Sequence, residues 1–579
     1  MAHQKKVTRL LQRSIVACTG TAMAALIAAC GGGSGTTAVT PPAATLTVTG
    51  VAATGAAIAG RPVEAKCNGG TASGTTAADG SYTLTLTAGT LPCVLRVTLA
   101  DGSALHSLAS GTGVTAQGNI TPVSELVVSQ ATAGTAAAYF TSFDAAAATA
   151  LTPAKVDAAV ASVIATLKDA GVDFSTSGNI LTATLVPATT TTAGNAFDKA
   201  LDALKAKLTS TGTTLATLAT TVAATSPAAP VAVLSNTASL PSALLLKPKA
   251  ANCPALRTGK YRLVVASVGT VADPNTTLLT LNAETGAIID SNNPNGGGQI
   301  TANGPCKFKT NAGADFIVSD AGIGFVAVEY DATTFQGAIA IPEQSFTVAD
   351  LAGDWNLIGF DSNGPNNSKN AVSYSFSLDS TGKVSNVTFC DAVNTLCTNN
   401  VTVTINLSVN TAGGFNVVNS TFNETSRLFA YRAGGGELML VQVYPNGRFA
   451  VGTRNVAATL PAVGRLSEGT SYTINSNLTT AKSFGDFKNT VRTVDTATNS
   501  FLRDNVTNLT TGVTRPETFT INSPRSGYSR RAPGTVTQSD ASSSTVPEFV
   551  AMTVRGMGFS MVAFPSSNQV NFSVNKATP

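Results

Sequence analysis

Residues able to do acid–base or nucleophilic chemistry are few and far apart in this chain. It has 579 residues and two histidines, of which only His106 lies beyond the first segment. Asp101 stands just upstream of it. A serine–histidine–acid triad needs an imidazole to take the serine proton, but no Gly-x-Ser-x-Gly turn accompanies this one. His106 therefore reads as an exposed or half-buried histidine on a strand. No HExxH pair, no phosphate-binding loop and no GxGxxG after a strand occurs. Paired carboxylates for glycoside hydrolysis would have to come from the acids between Asp315 and Asp361, and linear spacing does not set two of them across a cleft. One tryptophan and nine tyrosines offer little aromatic surface for holding a sugar. No catalytic residue is assigned.

Two stretches carry clustered oxygen donors: Asp290-Ser291-Asn292-Asn293-Pro294-Asn295-Gly296 and Asp361-Ser362-Asn363-Gly364-Pro365-Asn366. Asp290, Asn292, Asp361 and Asn363 are the residues that calcium would use. Neither stretch has the glutamate at the twelfth place of an EF-hand loop, and these residue types also build ordinary turns. Turns without metal are the favoured reading, so no cofactor is required and calcium is the one candidate. A zinc site is excluded by the lack of CxxC pairs and by a single downstream histidine.

The elements that must position these residues follow a leader. Lys5, Lys6, Arg9 and Arg13 precede an apolar run from Ser14 to Ala29, as in a signal peptide over 1–29. The run ends Leu26-Ile27-Ala28-Ala29-Cys30 and is followed by Gly31-Gly32-Gly33-Ser34-Gly35. This resembles the lipobox of bacterial lipoproteins. The resemblance implies cleavage before Cys30, lipidation of Cys30, a flexible tether over 30–44, and, with Gly31 rather than aspartate next, sorting to the outer membrane. Either periplasmic or surface exposure is compatible with it. Removing the leader takes 4 of the 36 basic residues, leaving 32 against 32 acidic ones. A neutral chain with 12% charged residues has no field for phosphate, which excludes nucleic-acid partners. Of eight cysteines, Cys18 leaves with the leader and Cys30 anchors. Cys67, Cys93, Cys253, Cys306, Cys390 and Cys397 remain, an even set that suggests disulfides in an exported protein. Sequential pairing keeps each bridge local.

Over 45–121, Tyr82, Leu84 and Leu86 alternate with threonines, the period of a half-buried strand. Thr76-Ala77-Ala78-Asp79-Gly80-Ser81-Tyr82 resembles the T-x-x-D-G-x-Y hairpin of carboxypeptidase-regulatory-like β-sandwiches, which implies a spacer or binding module. Over 122–225 the period becomes helical. Thr152 caps and Pro153 opens a helix with Val156, Val160, Val163, Ile164 and Leu167 on one face. A second begins at Asn195 with Phe197, Leu201, Leu204 and Leu208 aligned. This region reads as a helical connector, and 226–248, with three prolines, as a linker.

From Lys249 onward the period returns to two, with frequent turn signals. The expected fold is mainly β and multidomain, with an N-terminal sandwich, a helical connector and a large antiparallel C-terminal region of barrels or sandwiches. Gly259-Lys260-Tyr261 and Gly353-Asp354-Trp355 look alike. The second resembles the Gly-x-Trp that opens lipocalin and avidin-type barrels, making Trp355 the barrel-opening aromatic. Residues 259–464 carry 10 basic and 15 acidic side chains, and 465–579 carry 11 and 7. That contrast suggests a boundary at 464, giving domains 249–464 and 465–579. The expected function is a lipid-anchored cell-envelope protein presenting non-catalytic β modules for binding, adhesion or envelope contact. Its partners would be the membrane and an envelope or extracellular ligand. The alternative is a hydrolase of envelope polymers using paired carboxylates.

Overall fold

The structure, a computed structural model, describes residues 45–575 apart from 190, 225–238, 267–275, 292, 294–296, 364–368, 391–396 and 402. The leader and Cys30 lie outside the described residues, as does Asn292. The fold is mainly β.

The first module is a sandwich of a three-stranded and a four-stranded sheet. Strand Ser81–Thr87 buries Tyr82, Leu84 and Leu86 and exposes Thr83, Thr85 and Thr87, as its period requires. The turn before it depends on two residues. Asp79 Oδ1 accepts from Ser81 N at 2.9 Å and Ser81 Oγ at 2.6 Å. Gly80 has φ +79° and sits where a Cβ would lie 2.4 Å from Ala52 O, so only glycine fits.

Seven helices are described, and they do more than connect. Thr152 caps helix Pro153–Asp169 by accepting from Lys155 N, and Asn195 caps Ala196–Thr211 by accepting from Asp198 N. Their apolar faces share one core with Val94 and Leu108 of the four-stranded sheet. The sandwich and the helices are thus one packed body. The expected linker is also packed where it is described: Ser242–Leu245 is helical, and Leu240, Leu245 and Leu246 are buried.

The rest is two closed antiparallel β barrels and, between them in the chain, a curled, incompletely closed sheet that forms the second barrel. The first runs from Gly259–Val265 to Phe335–Pro342, eight strands in sequence order, closed by pairing of those two (Tyr261↔Pro342 to Val265↔Ala338). The second is a nine-stranded sheet from Gly353–Asn363 to Phe449–Arg454, which pair with each other. It curls until Lys383 bridges Asn406 and Leu407 N reaches Gly382 O at 2.8 Å. The third runs from Leu466–Ile474 to Gln569–Asn575, closed by Gly469↔Asn575 to Ile474↔Val570.

The large core of this region lies between the barrels. Phe325 and Ile339 of the first, Ile358 and Phe449 of the second, and Tyr472 and Phe572 of the third belong to one buried cluster. The expected boundary at 464 therefore does not separate two domains. Strands on either side of it belong to one hydrogen-bonded sheet, with Phe335↔Thr480 and Gln336↔Thr479 joining the first barrel to the third. Ion pairs cross the junction in both senses, Lys307–Asp486 at 2.6 Å and Arg555–Glu437 at 3.3 Å.

Candidate functional site

The residues singled out by sequence do not converge. His106 is 2% exposed, not on a wet face. Helix Pro122–Thr132 packs over its strand and brings Glu125 Oε2 to 2.9 Å from His106 Nδ1 and 2.6 Å from His106 N. That pair ties helix to sheet. Asp290 ends strand Ala287–Asp290 in the first barrel, whereas Asp361 and Asn363 fall within strand Gly353–Asn363 of the second. The ladder shifts register between Phe360 and Asn363, whose partner is Lys369, and residues 364–366 of the second stretch lie outside the described residues. The two stretches also occupy different connections of their barrels. Among the described residues no three His, Cys, Asp or Glu side chains gather to hold a metal.

The acids between Asp315 and Asp361 are dispersed. Asp315 pairs with Lys309 at 2.7 Å, Glu343 with Arg262 at 2.8 Å, and Asp331 and Asp350 accept turn N–H groups. The six downstream cysteines form Cys67–Cys93, Cys253–Cys306 and Cys390–Cys397.

Trp355 is wholly buried inside the second barrel, packed with Leu357, Phe376, Phe415 and Leu440. Its Nε1 donates to Leu351 O at 2.9 Å. The polar groups of that interior satisfy one another: Tyr374 Oη and Gln442 Oε1 are 3.2 Å apart, and Gln442 Nε2 donates to Ser426 Oγ at 2.9 Å. The first barrel is filled likewise by Tyr261, Phe308, Phe316 and Val318.

The third barrel is built the other way round. Its strands alternate like the others, but the apolar side chains (Tyr472, Met552, Phe559, Phe572) face outward into the common core. The registers then turn a polar set inward. Ser467 stands opposite Asn489, Asn489 opposite Asn505, Ser573 opposite Ser471 and Ser560, and Ser560 opposite Thr553. All eight strands of this ring contribute to a cavity of about 210 Å³. One wall is aromatic: Phe501 and Phe519 stack at 5.1 Å with their planes 11° apart, and Phe549 lies 5.3 Å from Phe519. Asn489, Ser573 and Asn575 also line it.

Two features mark the polar groups of this barrel. Asn489 is 8% exposed, and its Oδ1 is shielded from solvent without a hydrogen-bond partner. Buried polar atoms are otherwise almost always bonded. The second feature is charge. Glu517 Oε2 accepts from Arg503 at 2.8 Å and Glu517 Oε1 from Arg515 at 2.7 Å, while Arg531 also bonds to Oε1. Burial raises the pKa of Glu517, but Arg503, Arg531 and Arg515 together hold it below its ordinary value. Burial in turn lowers Arg531 to about 10. Arg503 and Arg531 lie over Phe519 and Phe549 at 4.4 and 4.1 Å.

The connector between the second and third barrels reaches this lumen. Ala458, Thr459, Pro461 and Arg465 line it. Asn522 clamps the connector through Ala458 N to Oδ1 at 2.7 Å and Nδ2 to Ala458 O at 3.0 Å. Sequence reading passed over all of these residues. Their only signal was strands rich in Ser, Asn and Thr with arginines interspersed, which also describes an exposed sheet face.

Comparison of the chain with protein-family models, with curated proteins and with solved structures finds no match.

Proposed function

We propose that this chain is a non-catalytic binding protein of the bacterial cell envelope, tethered through Cys30, whose third barrel receives a small molecule in its lumen. The polar, aromatic-walled cavity to which all eight strands of the third barrel contribute carries this reading. A few convergent polar groups set in an apolar pocket are the usual form of a small-molecule site. The other two barrels, with filled interiors, serve as the wall against which the third turns its apolar face. The lipobox-like run and the glycine tether support the anchor. The sandwich and helices stand between the tether and the barrels in the chain.

Native mass spectrometry of the full chain extracted from its own envelope tests the reading. The expected result is a non-covalent small-molecule adduct that disappears on Ala551→Trp, since Ala551 lines the lumen and an indole there would fill it. An adduct-free chain that turns over polysaccharide, peptide or ester, with turnover lost on changing one carboxylate, would replace it with the hydrolase alternative.

A further inference from the structure

We propose that the open cleft where the helices meet the first two barrels binds a phosphate monoester with an apolar body. This site lies apart from the lumen of the third barrel and stands or falls independently of it.

The cleft has a volume of about 550 Å³. The end of helix Pro153–Asp169, helix Ser242–Leu245 and Lys247 just beyond it form one side. The first barrel supplies Lys260 and the segment 342–346. The second supplies Arg432, the last residue of strand Glu424–Arg432. Gln344 joins the two barrels here: its Oε1 accepts from Arg432 N at 2.8 Å and its Nε2 donates to Arg432 O at 3.2 Å. Glu343 N likewise donates to Lys260 O at 2.9 Å. Backbone bonds thus set the positions of Arg432 and Lys260 without a ligand.

The phosphate is inferred from cations that lack anions. Arg432 is half-buried, and its guanidinium makes no hydrogen bond or ion pair among the described residues. It faces the Phe346 ring at 5.7 Å. Asp350 attracts it without forming an ion pair, its carboxylate being bonded to Thr347 N and Oγ1 at 2.7 Å. The nearby Arg454 guanidinium adds a like charge, and its own hydrogen bonds go to the carbonyls of Asp350, Leu351 and Ala352. Lys260 is exposed, and Lys247 Nζ bonds a carbonyl, Asp169 O, at 2.9 Å. Of the two acids lining the cleft, Glu343 is taken by Arg262, at 2.8 and 3.2 Å. Asp169 alone then stands against Lys247, Lys260 and Arg432, an excess of two positive charges. A phosphate monoester carries about −1.5 to −2 at neutral pH, whereas a carboxylate carries one charge. A guanidinium fork and an ammonium point charge are the side chains that hold phosphate oxygens. Burial pulls the Arg432 pKa below its ordinary value, so an anion placed against it relieves the charge.

The apolar body is inferred from size and walls. The cleft equals roughly eighteen waters of liquid volume, far more than one phosphate group fills. Leu244 and Phe346 border the remaining space, both half-buried, and an apolar group beside the phosphate would cover them.

Titration calorimetry of the full chain with phenyl phosphate, inorganic phosphate and phenol tests this. Phenyl phosphate should bind about tenfold or more tighter than either fragment, and its affinity should fall with added salt. Arg432→Gln should weaken it about tenfold or more, Lys260→Gln about threefold, and Ala551→Trp not at all. Phenol binding as tightly as phenyl phosphate overturns the phosphate, and inorganic phosphate doing so overturns the apolar body. Affinity unchanged in both Arg432→Gln and Lys260→Gln, or lost in Ala551→Trp, overturns the cleft as the site. No binding of any probe at millimolar concentration overturns the inference. Where Arg432→Gln fails to fold by circular dichroism, the exposed Lys260→Gln and the salt dependence decide. Vesicles containing phosphatidate present the same group on a lipid. Flotation of the Cys30→Ser chain with them, abolished by Arg432→Gln, assigns the monoester to a lipid headgroup, and calorimetric binding without flotation assigns it to a free molecule.

Discussion

The guanidinium of Arg454, on the last strand of the second barrel, lies 4.1 Å over the ring of Trp355 on the first. The two residues are also direct ladder partners. Arg454 Nη1 donates to Ala352 O at 2.8 Å and Leu351 O at 3.1 Å, and Leu351 O accepts Trp355 Nε1 as well. The stacked pair therefore closes the barrel seam and caps the short 3₁₀ turn Val348–Leu351 beneath it. The first barrel uses part of the same device: Tyr261 Oη donates to Arg257 O at 2.8 Å, again four residues back.

This pair should be a stability determinant and not a ligand contact. Trp355→Phe removes the indole N–H and leaves a void, and should cost about 2–4 kcal/mol. Gly353→Ala should be comparably harmful, since Gly353 has φ +133° and a Cβ there would sit 2.5 Å from Arg454 Nη1. Urea unfolding measures both. A change below about 0.5 kcal/mol for either would remove the seam from consideration.

Acid should weaken the third barrel through Glu517. Its folded pKa is depressed, so its contribution is complete above the unfolded glutamate value near 4.3 and is lost as pH falls through the lower folded pKa. Glu517→Gln leaves three guanidiniums without their shared anion and should cost about 3 kcal/mol or more at neutral pH. It should also flatten the acid limb of a stability–pH curve. An unchanged acid limb in the variant would show that other groups control it.

Reduction should harm the three bridges unequally. In the chain-entropy account, the 53-residue separation of Cys253 and Cys306 corresponds to about 4 kcal/mol. The 7-residue separation of Cys390 and Cys397 corresponds to about 2.5 kcal/mol. Paired Cys→Ser variants compared by denaturant midpoint should follow that order, and a reversal would point to native-state contacts instead.

Cys30→Ser should release the chain from membranes. Stable attachment needs more than one acyl chain, which the lipoprotein pathway supplies. Fractionation after a salt wash distinguishes the outcomes, and a serine variant that stays with the membrane argues against the anchor.

Much of the fold was legible because its causes are local. The Tyr82/Leu84/Leu86 alternation, the Asp79-Gly80 turn, the Thr152 and Asn195 caps and the return to period two after Lys249 each follow from neighbouring residues. The site was not legible. Asn489, Arg503 and Glu517 come together only through ladders such as Val491↔Arg503 and Arg503↔Glu517, which join positions up to 14 residues apart across hairpins.

What the sequence determined by itself is the alternation of each strand, the turns between strands, the cysteines available for bridging and the expectation of export. Only the tertiary structure decided which face of each strand became the lumen. The period of two is the same whether apolar residues point into a barrel or out of it. In the first two barrels they fill the interior around Tyr261 and Trp355. In the third, burial against the other two draws Tyr472, Phe559 and Phe572 outward. Polar side chains, Asn489 among them, are left to line the cavity of the third barrel.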